Sequence, residues 1–221
     1  MGLTVAAKLS SPPIAGGSSA WHFSISIAER ATAFLLLVLL SPALLLAVAV
    51  TIVLSRDCPF VSHARVGRYG RPIRVVKLRT MWGATPLSGR WLIEHLAHVE
   101  VPETKTRNDP RVTSAFAAFC RRHSIDELPQ LWQIVAGELA LVGPRPLTAD
   151  ELEKHYGSSA AEVLSVTPGI TGLWQIAGRN NLTYRQRRLL DVFLVRNWSP
   201  RLYLFIVTGT VRAILSGSNA A

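Results

Sequence analysis

From Ala31 to Ser55 the chain carries no charged residue, and most positions are Leu, Val or Ala. At 1.5 Å per residue a helix of this length reaches roughly 37 Å, more than the ~30 Å of a bilayer's hydrocarbon core. Pro42 interrupts the run: it has no N–H, and its ring crowds the carbonyl one turn back. The hydroxyl of Ser41, just ahead, can satisfy the carbonyl that Pro42 leaves free. Such a segment can cross the membrane with a kink, or bend at Ser41-Pro42 and return to the face it entered. Seven Lys or Arg residues between Arg56 and Arg79 put the C-terminal flank on the cytoplasmic side and leave the N-terminal side open. A cleaved leader would use Ala47-Val48-Ala49 as its small-residue site. Against that, the apolar run continues past the site, and only Lys8 and Arg30 precede it as basic residues.

Composition narrows the remainder. The 221 residues include 24 Lys or Arg against 14 Asp or Glu, a formal net charge of +10, and 49% are apolar. That apolar content excludes a disordered chain. Two cysteines, Cys58 and Cys120, cannot build the disulfide framework of a small secreted domain. High basicity with high apolarity leaves nucleic-acid binders and proteins held on an anionic membrane surface, and the apolar run decides for the membrane. The expected organisation is a mobile tail over 1–20, a membrane helix over 21–55, and a membrane-associated domain over 56–221. Within the last, Ile73 to Arg79 reads as a strand after the Gly70-Arg71-Pro72 turn. Arg90 to Val99 reads as a short helix. Residues 111–142 read as helical around Asp126-Glu127, 147–165 as a helix, Pro168 to Asn181 as a glycine-punctuated loop, and the rest as helical. The stretches from Arg185 to Val195 and from Leu202 to Val211 fit either interfacial amphipathic helices or core helices.

Three groups of residues could carry chemistry. In Arg121-Arg122-His123-Ser124-Ile125-Asp126-Glu127, two adjacent carboxylates follow a cationic run. Ser124 and Glu127 fit a helix capping box. Alternatively, a helix N-terminus and nearby arginines keep Asp126 ionised, able to attack phosphorus or hold a metal. In Gly143-Pro144-Arg145-Pro146, two prolines fix the backbone around an arginine, which suits bidentate phosphate binding as well as an ordinary turn. In Pro168 to Gln175 and Gly178-Arg179-Asn180, glycines permit close backbone approach, while Trp174, Gln175, Arg179 and Asn180 offer stacking and polar recognition. Neither the P-loop nor the dinucleotide fingerprint is present. Glu94-His95 and His98 sit at helical spacing without a cysteine, and a solvated helix face explains them better than zinc.

Taken in order, Lys77 to Met81, Asn108 to Thr113, Ser124 to Leu131, Leu141 to Pro146, Pro168 to Gln175, Gly178 to Asn180 and Asn197 to Ser199 resemble the bacterial sugar transferases, the monotopic phosphoglycosyl transferases. The resemblance covers about residues 25–215, in the family's minimal form. It implies an α/β, mostly helical fold: a re-entrant helix broken at Ser41-Pro42 and a small cytoplasmic catalytic domain with interfacial amphipathic helices. The implied enzyme sits in the bacterial inner (cytoplasmic) membrane. It moves a sugar 1-phosphate from a UDP-sugar to polyprenol phosphate and releases UMP. Asp126 would be the nucleophile of a covalent phosphosugar intermediate. Glu127 would hold Mg²⁺, and Arg79, Arg121, Arg145, Gln175, Arg179 and Asn180 would bind phosphate or nucleotide. Donor, lipid acceptor and membrane lipids are the expected partners, with no nucleic acid; a homodimer is compatible with the sequence.

Some positions depart from the family pattern. Gln133 stands for a usual Asn, Val163 for a frequent Arg, and Leu194, Arg196, Tyr203 and Phe205 for other usual residues. Tyr203 and Phe205 together suggest a lost acid–base pair replaced by aromatic packing. Around His63 and Gly172 to Ile176 the chain is most similar to members that initiate exopolysaccharide synthesis with galactose or glucose 1-phosphate. The competing readings are a non-catalytic basic scaffold tethered to the membrane, and a transferase using another nucleotide-activated sugar.

Overall fold

The computed structural model describes residues 19–81, 112, 114–178 and 182–216, with side chains from residue 24 onward. The expected helix over Arg90 to Val99 lies outside them, as do His95 and His98.

One long helix, α1 (Ser19–Ser55), contains Pro42 and runs through it. The expected break is therefore a rewired turn within a continuous helix. Pro42 deprives the carbonyl of Val38, four residues back, of its partner. The Ser41 hydroxyl donates to that carbonyl at 2.8 Å, which is how a proline is tolerated inside an apolar helix. One side of α1 packs on the domain through small and branched residues: Ala33, Leu36, Leu37 and Leu40, then Ala47 and Val48. Other sides expose Phe34, Leu35, Val38, Leu39, Leu45, Leu46, Ile52 and Val53. A patch of this size needs a cover other than water. α1 also completes two apolar clusters of the domain.

The domain begins with an antiparallel hairpin, β1 (Phe60–Val66) and β2 (Pro72–Leu78), registered from Phe60↔Leu78 to Val66↔Pro72. Then come α2 (Ala115–Arg122), a 3₁₀ turn (Ile125–Glu127) and α3 (Gln130–Ala136). The buried Gln133 of α3 serves β2 as a strand would: Oε1 accepts from the Val76 N–H at 3.0 Å, and Nε2 donates to the Arg74 carbonyl at 2.7 Å. Residues 140–142, expected to be helical, form β3 (Ala140–Val142), which pairs in parallel with β4 (Gly169–Thr171). Between them the expected single helix is four pieces: α4 (Ala149–Glu151), a π-helical turn (Leu152–Tyr156), a 3₁₀ turn (Gly157–Ser159) and α5 (Ala160–Val163). The glycine-rich loop likewise holds β4 and α6 (Leu173–Ala177), and α7 (Tyr184–Arg196) and α8 (Pro200–Leu215) close the chain.

α7 and α8 each bury one face and expose another. Leu194 and Ile206 are buried with Val142 and Leu173, whereas Leu189, Phe193, Leu204 and Phe205 are exposed. Of the two departures read as aromatic packing, only Tyr203 meets an aromatic ring among the described residues. Tyr203 donates its hydroxyl to Glu29 of α1 at 3.0 Å and lies beside Trp198, while Phe205 points outward. Glu29 also accepts the Val142 N–H at 3.2 Å, so one buried carboxylate ties α1 to β3 and α8.

Candidate active site

The Asp126-Glu127 pair is presented by a turn anchored on both flanks. Ser124 takes a left-handed conformation (φ 55°) and makes no side-chain cap, so the expected capping box is absent. The chain reverses there after α2, at a backbone position that costs a non-glycine residue energy. Ile125 packs into the cluster of Ala47, Leu78 and Cys120. Leu128, three residues on, packs into the cluster of Ala33, Leu131, Ile134 and Leu139. With three residues per turn, anchoring 125 and 128 inward leaves 126 and 127, both half-buried, on the other sides of the turn. Both clusters contain residues of α1, so the dyad turn rests on the apolar helix.

Positive charge is brought to the dyad from β2, where Lys77 Nζ lies 2.6 Å from Glu127 Oε1. Asp126 lies near the Cys120 thiol. Burial, with the Asp126 charge as the lesser cause, pushes that thiol up to about 11. Cys120 is thus a neutral packing residue.

The predicted arginines are distributed differently. Arg79 pairs with Asp57 (3.0 Å) and donates to the Cys58 carbonyl (2.6 Å), gripping the segment that leaves α1. Arg121 is half-buried in the last turn of α2. Arg145 stacks on Trp174, its guanidinium 5.0 Å from the ring centroid. Arg187 of α7 lies over the same indole at 5.2 Å and over the Tyr184 ring at 5.1 Å. Gln175 donates to the Ile170 carbonyl at 3.2 Å, bracing α6 against β4. Arg179 and Asn180 lie outside the described residues.

The two glycine-proline motifs meet through their backbones. A Cβ on Gly143 would lie 2.6 Å from the Thr167 carbonyl and 2.7 Å from the Gly169 N, and one on Gly169 would collide with the Gly143 N. The spacing of Gly143 and Gly169 in the sequence reflects this contact, which admits no side chain.

Sequence reasoning overlooked a set of residues around Arg145. The Asp191 carboxyl, fully buried, accepts the Tyr156 hydroxyl at 2.8 Å and faces the Arg145 N–H and the Arg187 guanidinium. Glu151 is held below the ordinary carboxylate range: burial opposes this, but Thr148 N–H, Arg145 and Arg65 outweigh it. The signal available was the i, i+4 spacing of Arg187 and Asp191 on one helix face.

Among the described residues no three His, Cys, Asp or Glu side chains gather as a metal cage. Asp126 and Glu127 offer adjacent hard oxygens only. That set fits Mg²⁺, which binds through one or two carboxylates and completes its shell with water and substrate phosphate.

The model of the bacterial sugar transferases matches residues 21–217. The exopolysaccharide production protein ExoY of Rhizobium meliloti is 41% identical over 202 residues, 90% of this chain and 86% of that protein. The undecaprenyl-phosphate galactose phosphotransferase of Salmonella typhimurium is 38% identical over 164 residues, 72% of this chain and 33% of its own. The UDP-glucose:undecaprenyl-phosphate glucose-1-phosphate transferase of Xanthomonas campestris is 32% identical over 186 residues, 80% of this chain and 36% of its own.

Proposed function

The chain belongs to the bacterial sugar transferase family, and from that premise we propose that it transfers a hexose 1-phosphate from a UDP-sugar to polyprenol phosphate, releasing UMP. Relatives named for galactose and for glucose both match along most of this chain, so the sugar is read as a hexose. The product would start an exopolysaccharide or a related glycan, as the likeness to ExoY suggests.

One observation carries the reading: a carboxylate pair on a turn whose flanking residues are seated in apolar clusters completed by α1. A soluble donor and a lipid acceptor meet most readily at such a place, beside the apolar helix. Asp126 attacks the phosphorus that bears the sugar. The new oxygen–phosphorus bond forms as the bond to the bridging oxygen breaks, and UMP leaves with the electron pair. An oxygen of polyprenol phosphate then attacks the same phosphorus, and the Asp126 carboxylate departs, regenerated. Glu127 would hold Mg²⁺, which when bound offsets the negative charge of the diphosphate. Lys77 and Arg145 supply further positive charge, Arg145 as a stiff phosphate ligand.

Contacts along α1 support a re-entrant, monotopic attachment on the cytoplasmic face. Glu29 near one end bonds to Val142, and Ala47 and Val48 near the other pack on Leu78 and Cys120. All three partners, Val142, Leu78 and Cys120, belong to one domain, which suits a helix attached from one side rather than one whose ends lie on opposite sides.

The test is purified full-length enzyme with Mg²⁺, polyprenol phosphate and a panel of UDP-sugars, read as UMP release. Release with a UDP-hexose is expected. Asp126→Asn keeps the shape but removes the charge, and should lower the rate about a thousandfold or more. No release with any donor would favour the non-catalytic scaffold.

A further inference from the structure

We propose that Tyr156 and Asp191 are positioning residues that hold Arg145 over Trp174 in the orientation that binds the donor's phosphate. The inference rests on the reading of Arg145 as a phosphate ligand and adds what sets its direction.

In Pro144-Arg145-Pro146 both neighbours lack an N–H, so Arg145 carries the one backbone N–H in the triplet. That N–H faces the carboxyl of Asp191, which is fully buried on α7. Tyr156, also fully buried, donates its hydroxyl to Asp191 Oδ2 at 2.8 Å. Tyr156 arrives there at the end of the π-helical turn Leu152–Tyr156. A π turn re-aims the residues that follow it, and such turns are common at functional sites. Gly143, with no room for a side chain, fixes the other end of the motif. The guanidinium itself rests on Trp174, whose indole is shared with Arg187.

The arrangement is costly as mere packing. Arg187 Nε and Trp174 Nε1 are buried without a hydrogen-bond partner among the described residues. Unpaired buried polar atoms destabilise a fold. Apolar side chains would fill the same space without that cost. What the polar ones supply is a fixed direction for one arginine.

The experiment is a double-mutant cycle on the full-length enzyme at saturating Mg²⁺ and polyprenol phosphate, reading KM for the UDP-sugar and kcat. Tyr156→Phe removes one oxygen and should raise donor KM roughly two- to tenfold, the span for loss of one neutral hydrogen bond, with a smaller change in kcat. Asp191→Asn should act in the same direction and serves if the Phe variant folds poorly. In an Arg145→Lys background, where the stacked fork is already gone, Tyr156→Phe should add little. An equal KM increase in both backgrounds, or no increase in either, would overturn the proposal. If Arg145→Lys itself leaves donor KM unchanged, Arg145 is not a phosphate ligand, and the reading beneath the proposal fails with it. That outcome is distinct from a neutral Tyr156→Phe beside a damaging Arg145→Lys.

Discussion

Burial pushes the Asp191 carboxyl from its ordinary 3.8 up to about 7, despite the Tyr156 hydroxyl, the Arg145 N–H and the charges of Arg145 and Arg187. Between those two pH values the folded chain keeps the proton and the unfolded chain has lost it. Unfolding therefore releases a proton, and this residue's contribution to stability declines as pH rises from about 4 to about 7, then levels off. Asp191→Asn should flatten that part of the stability–pH curve in urea unfolding; an unchanged slope would show that the carboxyl titrates normally. Glu127 is tested through the metal. EDTA should stop turnover and Mg²⁺ restore it. Glu127→Gln should raise the Mg²⁺ needed for half activity by at least about tenfold, a loss seen even for outer partners of metal sites. Unchanged Mg²⁺ dependence would place the ligand elsewhere. Two adjacent acids after a basic run marked Asp126 and Glu127 as a candidate, while their roles came from the family resemblance. The Lys77–Glu127 pair was not legible, since it joins residues 50 apart across a strand and a turn. The capping box misled because its spacing was right while Ser124 takes the left-handed conformation instead.

At the scale of elements, α1 and the β2 strand could be read directly. Both have patterns long enough to carry a signal: a charge-free run for one, apolar alternation after a Gly-Arg-Pro turn for the other. β3 and β4 have three residues each, too few for a period, and their pairing joins Ala140 to Gly169. Such a strand exists only because its partner does. The Ser41-Pro42 pair was legible in its chemistry, down to the hydroxyl that replaces the missing N–H at Val38. About 17–20 Å of charge-free helix lies on each side of Pro42, less than a hydrocarbon thickness of roughly 30 Å. Changing Ser41 to Leu and Pro42 to Ala removes the helix-breaking residue, worth ~3 kcal/mol, and should favour spanning. With Cys58→Ser and Ser10→Cys as a reporter, the parent N-terminus should be shielded from an impermeant thiol reagent in intact cells, and exposed in the double variant. Labelling of the parent would replace the re-entrant attachment by a kinked span.

At the scale of the whole molecule, the proposed function needs the apolar helix, the carboxylate turn packed with it and the stiff arginine to serve two anionic substrates in turn. The outward apolar side chains of α1, α7 and α8 and the basic surface suit attachment to an anionic bilayer. Serial use of the site requires that the enzyme hold the phosphosugar after UMP has gone and before the lipid arrives. The direct measurement is the intact mass of the enzyme mixed with Mg²⁺ and a UDP-hexose in the absence of polyprenol phosphate, followed by peptide mapping. The account predicts one added hexose phosphate, located on Asp126, discharged on adding polyprenol phosphate and absent from Asp126→Asn. A wild-type enzyme that turns over with the lipid yet never carries the adduct, or carries it on another residue, would contradict it.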